Sequence, residues 1–413
     1  MKKNFLSGLL TGLAGAFLVV TLIGGATKFN FNNGFIKDSP SKEDVSAAEN
    51  EDNPYEEIVE KLNLMKMLID AYYLDDINTD DFATGIYKGF VQSLDDPYST
   101  YYTKEEYSNL LESSSGVYHG IGAVVSQDVK TGVITVVKPY KNGPAYKVGL
   151  LPDDIIYKVE GEEVTGMDLT EVVSKMKGKA GTKVKVSIIR EGVSEPLDFT
   201  IVRQQINIPT IEYEMLQDDI GYILISEFDD ITIKQFNEAI KDLEDKGMKG
   251  LVVDVRDNPG GLLDAVVHML DRLLAEDLVI VYTEDKYKKQ EHLYAKNPDI
   301  FDKPLVVLIN GNSASAAEIF AGAIQDYEIG TIVGTTSFGK GIVQKVMPLT
   351  DGTALKLTIS KYFTPKGRNI HGTGIVPDVE VELSEELRQL VTIPHDQDNQ
   401  LQKAIEVLKE KMK

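Results

Sequence analysis

Cysteine is absent from the 413 residues, which excludes disulfides, cysteine nucleophiles, thiolate zinc sites and iron–sulfur clusters together. Histidine is scarce. The five present (His119, His268, His292, His371, His395) show no metal-ligand spacing, so neither a metal nor another cofactor is expected. Lysine- and arginine-rich runs are also missing. Acidic residues outnumber basic ones 65 to 43, a formal net charge of −22, and this excess argues against a nucleic-acid partner. What is there is globular: 42% hydrophobic and 26% charged residues exclude disorder throughout, and the length suits two or three domains.

The long uncharged run, residues 5–26, follows the basic start Lys2-Lys3. As a helix it reaches about 33 Å, enough to cross a hydrocarbon core. Residues 1–28 are therefore expected to be a signal anchor or a cleaved signal peptide. Either one exports the remainder. With Lys2 and Lys3 held on the cytoplasmic side, the rest is a single-pass extracytoplasmic domain at the cell membrane, or a secreted protein if the segment is cleaved.

Residues 29–53 are polar and acidic, as in a tether. Apolar periodicity predicts helices over 55–69, 80–91 and 103–111 within a helical region 54–113, the last capped by Thr103 with Glu106 three residues on. Over 114–205 the pattern changes to short strands (121–125, 133–137, 155–159, 184–189) with glycine turns and one helix over 168–176. Compact modules of this kind bind peptides by adding them to a sheet edge. Over 206–385, apolar strands (221–225, 250–255, 304–309) alternate with helices (233–246, 262–274, 316–325). That alternation reads as an α/β core with a largely parallel sheet buried on both faces. The tail 386–413 carries an amphipathic helix over 399–413.

Ligands of such sheets gather beyond the carboxyl ends of the strands, and two junctions there are rich. In Asp254-Val255-Arg256-Asp257-Asn258-Pro259-Gly260-Gly261 a Pro-Gly-Gly turn bares N–H groups that can stabilise an oxyanion, unless it is an ordinary tight turn. In Asn310-Gly311-Asn312-Ser313-Ala314-Ser315-Ala316 a serine stands at a helix entrance, where it is a nucleophile or simply a cap. A nucleophilic serine needs a base. No histidine offers one convincingly, and His371 reads as part of a turn. Lys340, between two glycines and close to Phe338, Ile342 and Val343, is the better candidate, because apolar burial lowers a lysine pKa. The bland alternative is a surface lysine in a glycine loop. Gln344, four residues on, shares its face and can orient the amine by a neutral hydrogen bond.

Taken with Ser93-Leu94-Asp95-Asp96-Pro97-Tyr98-Ser99, Gly120-Ile121-Gly122-Ala123, Gly339-Lys340-Gly341-x-x-Gln344 and Thr364-Pro365-x-Gly367-Arg368-x-Ile370, these junctions resemble the C-terminal processing proteases, peptidase family S41, from about residue 55 onward. The resemblance implies a crotonase- and Clp-protease-like α/β core with an inserted β-rich PDZ domain. It implies a serine endopeptidase with Ser315 as nucleophile, Lys340 as general base and Gln344 orienting the lysine. The oxyanion hole is implied at the N–H groups of Ala316 and of the Gly260-Gly261 turn. The PDZ domain is implied to gate cleavage, receiving the free, apolar C-terminus of a protein or peptide substrate at Tyr118-His119-Gly120-Ile121. Lys177 stands where many relatives carry arginine, which puts in doubt any gating contact needing a forked donor. The helices over 54–113 and the closing helix are implied to pair into a homodimer. Two other readings compete: a catalytically silent peptide-capturing scaffold, and a crotonase-like acyl-transfer enzyme on small thioesters.

Overall fold

The computed structural model describes residues 20–21, 54–77, 79–299, 301–388, 390 and 393–413. The expected membrane span and the tether lie outside these residues, apart from Val20–Thr21. That pair is extended, not helical, and runs parallel to Gln344–Lys345. Among the described residues no helix is long and apolar enough to cross a membrane.

Two compact units divide the chain, one over 22–101 and one containing everything from Tyr102 onward. The first holds α1 (Pro54–Tyr72) and α2 (Thr79–Gln92). The apolar residues that predict α1 recur at helical spacing, and several of them, including Ile58, Met65 and Leu68, are exposed.

In the second unit, α3 (Lys104–Ser115) begins at a reciprocal cap: Thr103 Oγ1 accepts the Glu106 N–H at 3.3 Å and Glu106 Oε2 accepts the Thr103 N–H at 2.9 Å. Gly116, at φ +65°, ends it and turns the chain into β1 (Val117–Gly120). The β-rich module follows: β2 (Ala123–Gln127), β3 (Ile134–Pro139), the one-turn α4 (Pro144–Val148), β4 (Ile155–Val159), β5 (Glu162–Glu163), α5 (Leu169–Met176), β6 (Lys183–Ile189) and β7 (Leu197–Val202). Its antiparallel sheet has the order β2-β3-β4-β6-β7, with β5 on β4, so β2 is an edge. Alternation along β6 turns Val184, Val186 and Ile188 inward onto Val136, Val159, Val172 and Ile201. The chain leaves through β8 (Gln204–Asn207), which pairs antiparallel with β1.

The core sheet has the order β9 (Ile211–Met215), β10 (Ile220–Ile225), β11 (Gly250–Asp254), β14 (Leu305–Ile309), β15 (Thr331–Gly334) and β18 (Val379–Glu380). Only β9 is antiparallel to its neighbour. Helices α6 (Asp230–Asp245), α7 (Leu263–Asp271) and α8 (Ala316–Asp326) follow β10, β11 and β14 in the chain. A second, antiparallel sheet contains β12 (Val279–Asp285), β13 (Gln290–Tyr294), β16 (Ile342–Pro348) and β17 (Ala354–Phe363), ordered β16-β17-β12-β13.

Helix α9 (Asn399–Lys411) covers one face of the core sheet. Leu401, Ala404 and Leu408 are fully buried there against Val252, Val306 and Leu308. Its cap is held electrostatically as well. Asp398 accepts the Gln400 and Leu401 N–H groups and binds the Arg256 guanidinium, which also binds Asp254 at the end of β11. Burial opposes charge on Asp398, yet that guanidinium holds its carboxyl below the ordinary value. Removing a fully buried leucine leaves a cavity in this interface. Leu408→Ala is expected to destabilise the protein by about 2–5 kcal/mol, read from the urea unfolding midpoint.

Candidate active site

Strands β11 and β14 are parallel neighbours, Asp254 opposite Leu308, so both junctions singled out in the sequence emerge at one edge of the sheet. Asn258, fully buried, shapes the first. Its Nδ2 donates to the Ile225 carbonyl at 2.8 Å, and its Oδ1 accepts the Gly260 N–H at 2.8 Å. The Gly260 carbonyl accepts the Phe228 N–H at 2.9 Å, and the Phe228 carbonyl accepts the Leu262 N–H at 2.6 Å. A Cβ on Gly260 would stand 2.8 Å from both Ser315 Cβ and the Ala314 carbonyl oxygen. The turn therefore presses on the second junction as closely as only glycine permits.

This corrects one expectation. The Gly260 N–H is spent on Asn258 and is not an oxyanion donor. Among the described residues, the N–H groups of Gly261 and Ala316 donate no hydrogen bond.

The two serines separate cleanly. Ser313 Oγ donates to the Val255 carbonyl at 2.7 Å and accepts the Asn310 N–H at 2.9 Å, tying the ends of β11 and β14 together. Ser315 Oγ is buried and has no hydrogen-bond partner. Ser315 also adopts φ +58°, ψ −112°, a conformation a serine holds only under constraint.

That constraint is supplied by Glu318 and Tyr362, to which the sequence motifs give no distinct role. Glu318, in the first turn of α8, is buried. Its Oε2 accepts the Ser315 and Lys340 N–H groups, both at 2.8 Å. Its Oε1 accepts Ser337 Oγ at 2.6 Å and the Gly339 N–H at 2.7 Å. The Tyr362 hydroxyl donates to the Ser315 carbonyl at 3.0 Å and the Lys340 carbonyl at 2.5 Å. One carboxylate and one phenol thus hold both ends of the serine and lysine backbone units. Burial pushes the Glu318 carboxyl up while its four donors pull it down, and burial and Glu318 together keep the Tyr362 phenol protonated. An acid does lie beside Lys340, hidden from the sequence by 22 residues of separation, and it engages the backbone N–H.

The Lys340 side chain is itself buried, at 2% exposure. Gln344 lies on β16 at an irregularity in its pairing with β17. It is fully buried, its Nε2 reaches Thr358 Oγ1 at 3.3 Å, and its Oε1 has no partner. The expected glutamine–lysine hydrogen bond is thus not made in this conformation.

In the β-rich module, Tyr118, His119 and Gly120 are not an open loop: they lie on β1, in register with Ile206, Gln205 and Gln204 of β8. Their backbone is engaged in that ribbon, and the free edge begins farther on, where β2 starts at Ala123. Ile121 is buried, and its carbonyl accepts the Ala145 N–H. Lys177 caps α5, binds the Glu112 carboxylate of α3, and lies 5.4 Å from the centre of the Tyr118 ring.

Behind the Gly260-Gly261 turn, burial pushes the Glu227 carboxyl up to about 7. Burial, with the neighbouring Glu227 and Asp230 charges, pushes Asp229 up to about 8.

Sheet, constrained serine and paired N–H donors define a serine-type hydrolase joined to a peptide-binding module. Comparison with known proteins agrees. Residues 219–381 match the model of peptidase family S41, 135–190 that of a PDZ domain, and 10–106 that of the activating protease CtpB N-terminal domain. The chain is 40% identical over 324 residues to the carboxy-terminal processing protease CtpA of Bacillus subtilis, covering 78% of this chain and 69% of that one. It is 34% identical over 364 residues to CtpB of the same organism, covering 87% and 75%. A solved photosystem II D1 C-terminal processing protease is 29% identical, with a TM-score of 0.45 over 71% of this chain and 80% of that one. The chain belongs to peptidase family S41, and it is a serine protease of the C-terminal processing type carrying a PDZ domain.

Glu318→Gln puts an N–H2 group where two donors now point. It is expected to lower kcat at least about 100-fold by displacing serine and lysine together, measured on a fluorogenic peptide. Asp229 binds its proton more tightly when folded than when unfolded. Its contribution to stability is therefore full below its ordinary value of 3.8 and lost as pH rises through about 8. Asp229→Asn should flatten the fall in urea-unfolding stability between pH 5 and pH 8.

Proposed function

We propose that Ser315 is the nucleophile and Lys340 its general base. Ser315 Oγ attacks the scissile carbonyl and passes its proton to the neutral Lys340 amine. The tetrahedral oxyanion is met by the Gly261 and Ala316 N–H groups. The Lys340 ammonium returns the proton to the leaving amine, and water then hydrolyses the acyl-enzyme by the same route. Gln344 accepts a hydrogen bond from the lysine as the site closes on substrate. One observation carries this reading: the buried side-chain polar atoms left without a partner among the described residues are Ser315 Oγ and Gln344 Oε1. Both can accept a hydrogen bond, and the backbones of Ser315 and Lys340 are held together by Glu318 and Tyr362. Unsatisfied buried atoms are rare enough to need a cause, and a reaction centre awaiting its substrate is one.

On the same reading the PDZ domain recognises the free, apolar C-termini of exported or membrane proteins and gates cleavage. The N-terminal segment carries the enzyme to the outer face of the cell membrane, a reading that rests on its basic start and uncharged run. The exposed apolar residues of α1 support pairing into a homodimer, and sedimentation velocity without residues 1–53 tests this, a monomer at micromolar concentration counting against it.

Ser315→Ala and Lys340→Ala should each lower kcat by at least about a thousandfold, because nucleophile and base act as a unit. Ser313→Ala should keep fluorophosphonate labelling at Ser315 while losing about 1–3 kcal/mol of stability. Labelling lost in Ser313→Ala but kept in Ser315→Ala would overturn the assignment. Gln344→Ala should be milder, and the rate of the unsubstituted enzyme should rise with pH, since only the neutral amine takes the serine proton.

A further inference from the structure

One irregularity interrupts the pairing of β16 with β17. Val343 stands opposite Ser360, yet the next residue, Gln344, stands opposite Thr358, so Ile359 is an extra residue on β17. In an uninterrupted ladder Gln344 would share its face with Ile359. The bulge replaces that apolar neighbour with a hydroxyl. Residues directly opposite on a sheet have Cβ atoms about 4.5–5.5 Å apart, and Gln344 Nε2 donates to Thr358 Oγ1 at 3.3 Å. Gln344 is fully buried, and its Oε1 has no partner among the described residues. The amide is therefore engaged at its nitrogen end and open at its oxygen end. Threonine suits the task of holding it, because branching at Cβ restricts χ1 and fixes the hydroxyl in place.

We propose that Thr358 is a positioning residue for proteolysis: by accepting the Gln344 Nε2 hydrogen bond it fixes the orientation of the amide and reserves the oxygen end for Lys340. This deepens, and rests on, the reading of Gln344 as the residue that orients the base. Both ends of a primary amide can bond an amine, so the orientation decides the chemistry. A carbonyl oxygen accepts from the ammonium that forms as Lys340 takes the serine proton, and stabilises that charge as it develops. A turned amide would aim N–H at the amine, occupy the lone pair that must receive the proton, and oppose the ammonium. An acceptor behind the nitrogen end prevents the turn.

The test is steady-state cleavage of a fluorogenic peptide by the full chain as a function of pH. It compares Thr358→Val, Thr358→Ser, Gln344→Ala and the double variant Gln344→Ala/Thr358→Val. Thr358→Val keeps the shape and removes the acceptor. It should lower kcat about tenfold with KM little changed. The rise of kcat with pH should also move downward by up to about one unit, because a turned amide opposes the ammonium. Thr358→Ser returns the acceptor and should recover most of the rate and the original profile. The double variant should lose no more than Gln344→Ala alone, since Thr358 acts through Gln344. Glu318 and Tyr362 hold the Lys340 backbone in all four variants. Lys356, two residues from Thr358 on the same face, keeps its ammonium on the Tyr102 hydroxyl at 2.8 Å. A shift in the profile therefore reads the amide. Should Thr358→Val not fold, Thr358→Ala against Thr358→Ser makes the same comparison. If Thr358→Val keeps its rate, loses it with the profile unmoved, or adds its loss to that of Gln344→Ala, the positioning role is disproved and Gln344 keeps its own. If Gln344→Ala itself leaves kcat and the profile unchanged, the reading of Gln344 fails, and the proposal with it.

Discussion

The arrangement of Ser315 and Lys340 depends on one buried carboxylate. Glu318 sits at the entrance of α8 with all its acceptor positions filled: two backbone N–H groups on Oε2, and a hydroxyl and a backbone N–H on Oε1. Removing a carboxylate from water costs several kcal/mol. Hydrogen bonds to a charged group return about 1.5–3 kcal/mol each, and the helix N-terminus adds about 0.3–1 kcal/mol. Four such bonds oppose the burial without cancelling it, so the carboxyl stays above its ordinary value. The serine turn and the lysine loop come from distant parts of the chain, and this residue makes them one rigid object. Tyr362 closes the arrangement from the carbonyl side.

Much of this organisation is legible in the sequence, for physical reasons that also show where legibility ends. The buried parallel strands announce themselves because β11 and β14 are apolar on both faces, and α9 because Leu401, Ala404 and Leu408 recur on one side. By contrast, β16 looks like a glycine loop at its start, since Gly339 and Gly341 mask the strand that carries Gln344. The single turn of α4 is too short to show a period. Side-chain bookkeeping inside a turn is less visible still. Pro-Gly-Gly offers two N–H donors, with Gly261 the favoured one, and the buried Asn258 shows why: it already uses the other. Glu318 reads as one letter of a motif, because its partners at 337–340 are near in space alone. At Tyr118 the resemblance implies a carboxylate-receiving segment, whereas pairing with β8 makes it a strand.

The PDZ domain and the oxyanion turn share a physical neighbour. The ribbon of β1 and β8 begins at Gly116, where a Cβ would stand 2.4 Å from Ile231 Cγ2 and 3.3 Å from Asp229 Oδ2. Those residues flank the segment whose Phe228 backbone pairs with Gly260 and Leu262. The start of the ribbon thus lies against the loop behind the Gly260-Gly261 turn, and Lys177 ties the neighbouring α5 to Glu112 of α3.

The Arg256 bridge has a consequence in time. Its guanidinium joins the end of β11, four residues before Asn258, to the cap of α9. During synthesis on the ribosome, α9 emerges after every other element described, so until it docks the sheet lacks the cover over Val252 and Val306, and Arg256 lacks one of its two carboxylates. The Asn258 turn gains its full anchorage only when α9 docks.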